Sequence, residues 1–248
     1  IFSAKGASAV LMEASTGKIL SMVSLPDYNP NDRSELKNKD NLFNKNSKGL
    51  YELGSVFKTF VIANALELKK VTRDKVYKNL PSQVACGKFI IKEYKYSKDK
   101  KNLSVNDVLV ESSNIGTIRI IQDSGLETYQ NFLEKLEIFD YSGIELPEVS
   151  ASTKKRWGMC RTLTAGYGHG INTTPLQLTR AYASIINGGK ILKTTFLKKK
   201  KKKNKKKKIK NYIKKNKKKI KLFFLKKKFK KKKKKIIKKK WKFQLPLK

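Results

Sequence analysis

Thirty-one of the last 51 residues, Lys198 to Lys248, are lysine, and none of the 51 is acidic. A like-charge block of that length repels itself and cannot bury enough apolar surface to close a core, so it limits where a folded domain can lie. It also supplies most of the net charge of +40: setting those 31 aside from 59 Lys+Arg leaves 28 bases against 19 acids, net +9, in residues 1–197. All 14 glycines fall in that first stretch. The chain therefore reads as two units. Residues 1–197 are long enough for one domain with a hydrophobic core, and residues 198–248 form a lysine-rich, low-complexity segment.

That segment has two readings. As an evolved tail it would bind nucleic acid or an anionic membrane, with Tyr212, Phe223, Phe224, Phe229 and Trp241 stacking or inserting. Its composition favours the other reading. Lys, Ile, Phe, Leu, Asn and Tyr make up 48 of the 51 residues, and all six have codons of A and T alone; only Trp241, Gln244 and Pro246 do not. Ala, Gly, Ser, Thr, Val, Asp and Glu vanish together, which polyanion binding does not require. A shifted reading frame through A-rich DNA yields this composition directly. The segment is thus expected to be frameshifted or disordered, and the net charge does not argue for a specific nucleic-acid partner.

Two cysteines, Cys86 and Cys160, exclude a disulfide scaffold and a two-pair zinc site, and a single histidine, His169, argues against a histidine metal centre. No metal or cofactor is expected. The cysteines are read as unpaired, although spacing alone does not decide pairing. No apolar run approaches the roughly 18–20 residues of a membrane span, and Ile1 carries neither an initiator Met nor a signal sequence. The chain is expected to be the interior of a longer protein and to carry no anchor of its own.

Hydrophobic periodicity outlines the first unit. Ala9 to Met12, a turn at Ala14-Ser15-Thr16-Gly17 and Lys18 to Val23 predict a hairpin, which Pro26 and Asn29-Pro30-Asn31 end. A helix from about Ser55 to Lys70 is apolar on most faces and should be buried. Residues 71–103 read as irregular, with a short strand near Lys88-Phe89-Ile90-Ile91. Ser104 and Asp107 fit a capping box opening a helix to about Glu111; further helices start near Ile115, stopping at Gly125, and run through Leu126, Tyr129, Phe132, Leu133 and Leu136. Thr174-Pro175-Leu176-Gln177 predicts a helix start, with Gly188-Gly189 as its stop. The chain is helix-rich α+β.

Ser55-Val56-Phe57-Lys58 follows Gly54 at the start of the buried helix. Three residues is nearly one helical turn, so hydroxyl and amine share a face. A serine needs an adjacent base to become a nucleophile, and a desolvated lysine can be neutral enough to serve. Alone, S-x-x-K is common on ordinary helices. Glu111-Ser112-Ser113-Asn114-Ile115-Gly116 changes the odds by placing a hydroxyl and an amide between two helices, where loop groups can face a cleft. Together they match S-x-x-K and S-x-N of the serine penicillin-recognising enzymes, whose third motif is K-T-G.

More than those motifs matches. The hairpin from Ala9 to Ser24, Tyr51-Glu52-Leu53-Gly54, Gly166-Tyr167-Gly168-His169-Gly170-Ile171, Thr174-Pro175-Leu176-Gln177-Leu178, Ala181-Tyr182-Ala183 and Asn187-Gly188-Gly189 follow in order. Over residues 8 to about 197 the chain resembles the transpeptidase domain of class B penicillin-binding proteins, most closely the septal, cell-division type. The resemblance implies a serine β-lactamase/D,D-transpeptidase-like α+β fold, an antiparallel sheet flanked by helices. It implies a serine-type acyltransferase with Ser55 as nucleophile, Lys58 as its base, Ser112 relaying protons to the leaving amine and Asn114 holding the substrate backbone. The substrates would be peptidoglycan stem peptides ending in D-Ala-D-Ala; β-lactams would acylate the same serine. The intact parent would be anchored in the inner membrane, with its catalytic domain in the periplasm, and would work with division proteins in cell-wall synthesis.

K-T-G does not occur in the 248 residues; the nearest string is Lys193-Thr194-Thr195. In the family that motif lies on a sheet strand whose backbone forms half the oxyanion hole. The fold is therefore expected to be incomplete, truncated before K-T-G with the C-terminal strands missing. The helix bearing Ser55 would lose packing, because a lone hairpin is a marginal sheet. The chain as it stands is expected to be inactive. A D,D-carboxypeptidase or β-lactamase-like hydrolase, and a non-catalytic binder of peptidoglycan or a division partner, are the alternatives. The G-Y-G-H-G run lacks the third glycine of a dinucleotide site, and His169 reads as a packing or cleft-wall residue rather than a base.

Overall fold

A computed structural model describes residues 3–197 apart from 33, 35–36, 38, 95–100 and 153–156. The lysine-rich segment at 198–248 lies outside the described residues.

The alternating residues near the start form the expected hairpin: β1 (Ala7–Met12) pairs antiparallel with β2 (Ile19–Leu25), Val10 opposite Met22. Its turn closes where the N–H of Gly17, at φ 79°, donates to the Glu13 carbonyl. Val10, Met12 and Met22 turn inward onto a small cluster of Ile19, Ile144 and Leu176, which seats the hairpin on α6 (Pro175–Ile186). Leu11 and Val23 face outward.

The main core is helical. In α1 (Lys58–Glu67) every residue from Lys58 to Ala65 is buried, against α2 (Val105–Val110), α3 (Asn114–Ser124) and α4 (Leu126–Lys135). The expectation that α1 would be stripped of packing by a reduced sheet is corrected here: the hairpin lies on α6, and α1 is enclosed by other helices.

The helix ends follow local chemistry. Ser104 and Asp107 close a capping box on α2, Thr174 and Gln177 close another on α6 with Pro175 at its first position, and α3 stops at Gly125, φ 97°. Each such box satisfies two N–H groups the helix cannot bond internally.

Residues 71–103 are more ordered than expected. β3 (Val76–Tyr77) pairs with β6 (Leu103–Ser104), and β4 (Gln83–Cys86) pairs with β5 (Phe89–Lys92) around a two-residue turn opened by Gly87 at φ 57°. Strands this short carry too few residues for alternation to register. Helix α5 (Met159–Ala165) was also unforeseen; its N-cap is Gly158, with no side-chain cap bond to signal a start.

Cys86 and Cys160, expected to be unpaired, form a disulfide with Cα atoms 5.6 Å apart. It ties the tip of the β4–β5 hairpin to α5 across 74 residues of sequence. Local periodicity holds no information about pairing over that distance. On chain entropy, a loop of this length narrows the unfolded ensemble by about 4 kcal/mol. Among the described residues no helix is long and apolar enough to cross a membrane.

Candidate active site

Ser55 lies in a 3-10 turn, Gly54–Phe57, that runs directly into α1. Two elements far along the chain fix this turn. Tyr51 and Thr173 exchange backbone hydrogen bonds of 3.0 and 3.1 Å, and the Tyr182 hydroxyl on α6 donates to the Val56 carbonyl at 2.6 Å. The Gly170 N–H donates to Glu52 Oε1 at 2.9 Å, while Glu52 Oε2 lies 3.0 Å from His169 Nδ1.

Gly168, at φ 84°, packs so tightly on Gly54 that a Cβ there would stand 2.1 Å from the Gly54 carbonyl oxygen. Gly168→Ala adds left-handed strain to that collision and is expected to cost about 3 kcal/mol while displacing the turn that carries Ser55. Thermal unfolding against the wild type measures it; an unchanged midpoint would show that the loop yields freely.

Ser55 is exposed, and its hydroxyl has no hydrogen-bond partner among the described residues. Lys58, one turn on, is 1% exposed. Spacing placed the two on one face within reach, but the amine is turned to the other motif. Its Nζ donates to the Ser112 carbonyl, to Ser112 Oγ at 3.1 Å and to Asn114 Oδ1 at 2.7 Å. An ammonium has three hydrogens, and these three oxygens use all of them.

Burial pushes the Lys58 ammonium down to about 8, a fall that the negative charge of Glu93 opposes. Roughly a tenth of the side chain is then neutral at pH 7, against less than a thousandth for an ordinary lysine. A neutral Lys58 donates two hydrogens rather than three and has a lone pair free to accept a proton.

Ser112 joins α2 to α3 in the left-handed region, φ 57°, a conformation that a non-glycine residue holds only when its surroundings impose it. The next residues supply the constraint. Ser113 donates its N–H to the Val108 carbonyl and caps α3 by accepting from the Gly116 N–H. Its hydroxyl donates to Glu93 Oε2 at 2.6 Å, and the N–H groups of Asn114 and Ile115 donate to Glu93 Oε1 and Oε2 at 2.8 and 3.2 Å. Asn114 Nδ2 donates to the Lys92 carbonyl at 3.1 Å.

Ser55, Ser112 and Asn114 line one cleft of about 270 Å³, together with Glu52, Gly54, Tyr94, Tyr167, Gly168 and His169. Lys58 reaches Ser112 and Asn114 from its buried position on α1. The structure thus brings all four expected site residues together, and His169 stands in the cleft wall. Lys193-Thr194-Thr195 is not in the cleft: Thr195 accepts from the Ile19 N–H and donates to the Gly17 carbonyl at the hairpin. Among the described residues no group of His, Cys, Asp and Glu is arranged to hold a metal ion.

Sequence reasoning missed Glu93, Glu52 and the Gly168–Gly54 contact. Glu93 is a single acid in Lys92-Glu93-Tyr94-Lys95 with no motif around it, whereas Glu52 and Gly168 lay inside quoted strings without an assigned role.

A serine at the head of a buried helix, a desolvated lysine one turn later and an S-x-N loop bonded to that lysine supply two of the three motifs of the serine penicillin-recognising class. The chain belongs to the penicillin-binding protein transpeptidase domain family, whose model matches residues 7–240. It is 35% identical over 187 residues to the peptidoglycan D,D-transpeptidase FtsI of Buchnera aphidicola, covering 73% of this chain and 32% of that one. It is 33% identical over 191 residues to the FtsI protein of Escherichia coli K12, covering 73% and 30%. The chain therefore spans about a third of the length of these curated relatives. Among solved structures, the apo transpeptidase domain of Burkholderia pseudomallei penicillin-binding protein 3 aligns with TM-score 0.68 at 25% identity, covering 81% of this chain and 56% of that one. Mycobacterium tuberculosis penicillin-binding protein 3, complexed with aztreonam, aligns with TM-score 0.71 at 25% identity, covering 77% and 43%.

Proposed function

We propose that residues 1–197 are the nucleophile-bearing part of a peptidoglycan D,D-transpeptidase that cross-links stem peptides during cell division. Ser55 attacks the carbonyl between the two terminal D-alanines of a stem peptide. Neutral Lys58 takes the serine proton, the leaving D-alanine amine receives a proton through Ser112, and the acyl group is left on Ser55. Asn114 holds the substrate backbone. A neighbouring strand's amine then takes the acyl group and frees Ser55. β-Lactams acylate the same serine. In the intact parent this site works on the periplasmic side of the inner membrane, alongside division proteins.

The observation that carries this reading is the Lys58 amine, buried, pushed down to about 8 and bonded to both polar groups of the S-x-N loop. An ordinary surface Ser and Lys on a helix would show none of these features. We read residues 198–248 as foreign to this unit although the family match runs on to residue 240, because their A- and T-codon composition is that of a shifted frame rather than of a binding tail.

The test uses a chimera in which residues 198–248 are replaced by the part of the Buchnera relative that follows its matched stretch. Given a D-Ala-D-Ala stem peptide and an amine acceptor, it is expected to form more transfer product than hydrolysed peptide. Hydrolysis that ignores added acceptor would instead identify a carboxypeptidase.

A further inference from the structure

The carboxylate of Glu93 follows directly on β5 (Phe89–Lys92) and gathers three donors from the loop that contains Ser112 and Asn114: the Ser113 hydroxyl at 2.6 Å and the N–H groups of Asn114 and Ile115 at 2.8 and 3.2 Å. Two of them are first-turn N–H groups of α3 that the helix cannot bond itself, and a carboxylate at that end also meets the positive pole of the helix. Hydrogen bonds to an ionised acceptor are among the stronger ones in a protein. The same loop holds Ser112 at φ 57° with its carbonyl and hydroxyl on Lys58. The hairpin beneath is tied down in turn, since the Glu93 N–H donates to the Ser82 carbonyl and Cys86 is bridged to α5.

We propose that Glu93 is a positioning residue: its carboxylate fastens the Ser112–Asn114 loop onto Lys58 and so holds the lysine amine between the two polar groups of the cleft. A glutamine cannot replace it. One end of the amide would be an NH2, and both oxygens of Glu93 now face donors only. The groups around the Lys58 amine are Ser112 and Asn114 from the loop and Glu93 from the end of β5, while Glu52 and His169 line the same cleft. Of these, Glu93 is the charge that opposes the fall caused by burial.

The relevance of this placement to catalysis rests on the acyl-transfer reading, but its test does not require turnover. In the 248-residue chain labelled with 13C at lysine Cε, one resonance is expected to titrate near 8 and to vanish in Lys58→Met. In Glu93→Gln that titration is expected to move to lower pH, because the charge favouring the ammonium is gone. Amide hydrogen exchange at Asn114 and Ile115 is expected to quicken about tenfold or more. Unchanged titration and unchanged exchange in the folded variant would overturn the proposal, and so would faster exchange alone, which a purely structural cap would give. Glu93→Asp carries the test if the glutamine variant does not fold. It sets the charge one methylene further back, so the Lys58 titration should move to lower pH, by less than removal of the charge would move it, while exchange at Asn114 and Ile115 quickens; a wild-type titration or wild-type exchange there would equally overturn the idea. Failure of the chimera to acylate Ser55 would count against the acyl-transfer reading and leave these two readouts to decide the role of Glu93.

Discussion

Lys58→Met in the chimera is expected to slow acylation of Ser55 by a labelled penicillin about 10²–10⁴-fold, the range a positioned general base contributes. The substitution removes the amine but keeps an unbranched, apolar chain in a site that is already buried, so the fold should tolerate it. The pH dependence separates loss of a base from loss of shape. Lys58 is pushed down to about 8, so above that pH the neutral base predominates and the wild-type rate levels off. Below it the lysine is protonated, its three hydrogens are bound by Ser112 and Asn114, and the rate falls about tenfold per pH unit. Lys58→Met should lose both the rate and this limb. A wild-type rate that stays flat between pH 6 and 9, measured by gel fluorescence or intact mass, would remove Lys58 from the role of base.

The 248-residue chain itself is expected to acylate at least about 10²-fold more slowly than the chimera. The oxyanion that forms when Ser55 attacks needs donors in place beforehand, and losing one donor costs roughly 10²–10³ in rate in a well-studied serine protease. The family resemblance assigns half of those donors to the strand carrying K-T-G, which the 248 residues do not contain. Lys193-Thr194-Thr195 does not substitute, since its backbone is bonded to the hairpin at Gly17 and Ile19. Equal rates in the two proteins would mean that a complete oxyanion hole already exists within residues 1–197.

Much of this site was legible because its determinants are local. The stretch from Ser55 is apolar on most faces, so the burial of α1 follows from Phe57, Phe60, Val61 and Ala65, and a desolvated Lys58 at its start was a reading those residues allowed. Ser104 with Asp107, and Thr174 with Gln177, name helix starts by a bond between neighbours. Ser55, Lys58, Ser112 and Asn114 could be paired in thought only through the family pattern, because nothing in spacing says that residue 112 comes back to residue 58. What stayed hidden is long-range and sparsely coded. The Cys86–Cys160 bridge joins two elements too short or too weakly capped to be foreseen, and Glu93 acts through backbone N–H groups that no side-chain pattern records. The turn of the Lys58 amine toward Ser112 rather than Ser55 depends on three oxygens from a loop more than 50 residues away.

The central claim is that Ser55 is the residue that takes the acyl group. Intact-mass analysis of the chimera after exposure to penicillin, followed by proteolysis and peptide mapping, tests it most directly. The expected result is one adduct, on the peptide containing Gly54-Ser55-Val56, absent from Ser55→Ala. A folded chimera that carries the adduct on Ser112 or elsewhere, or that carries none at saturating penicillin, would contradict it.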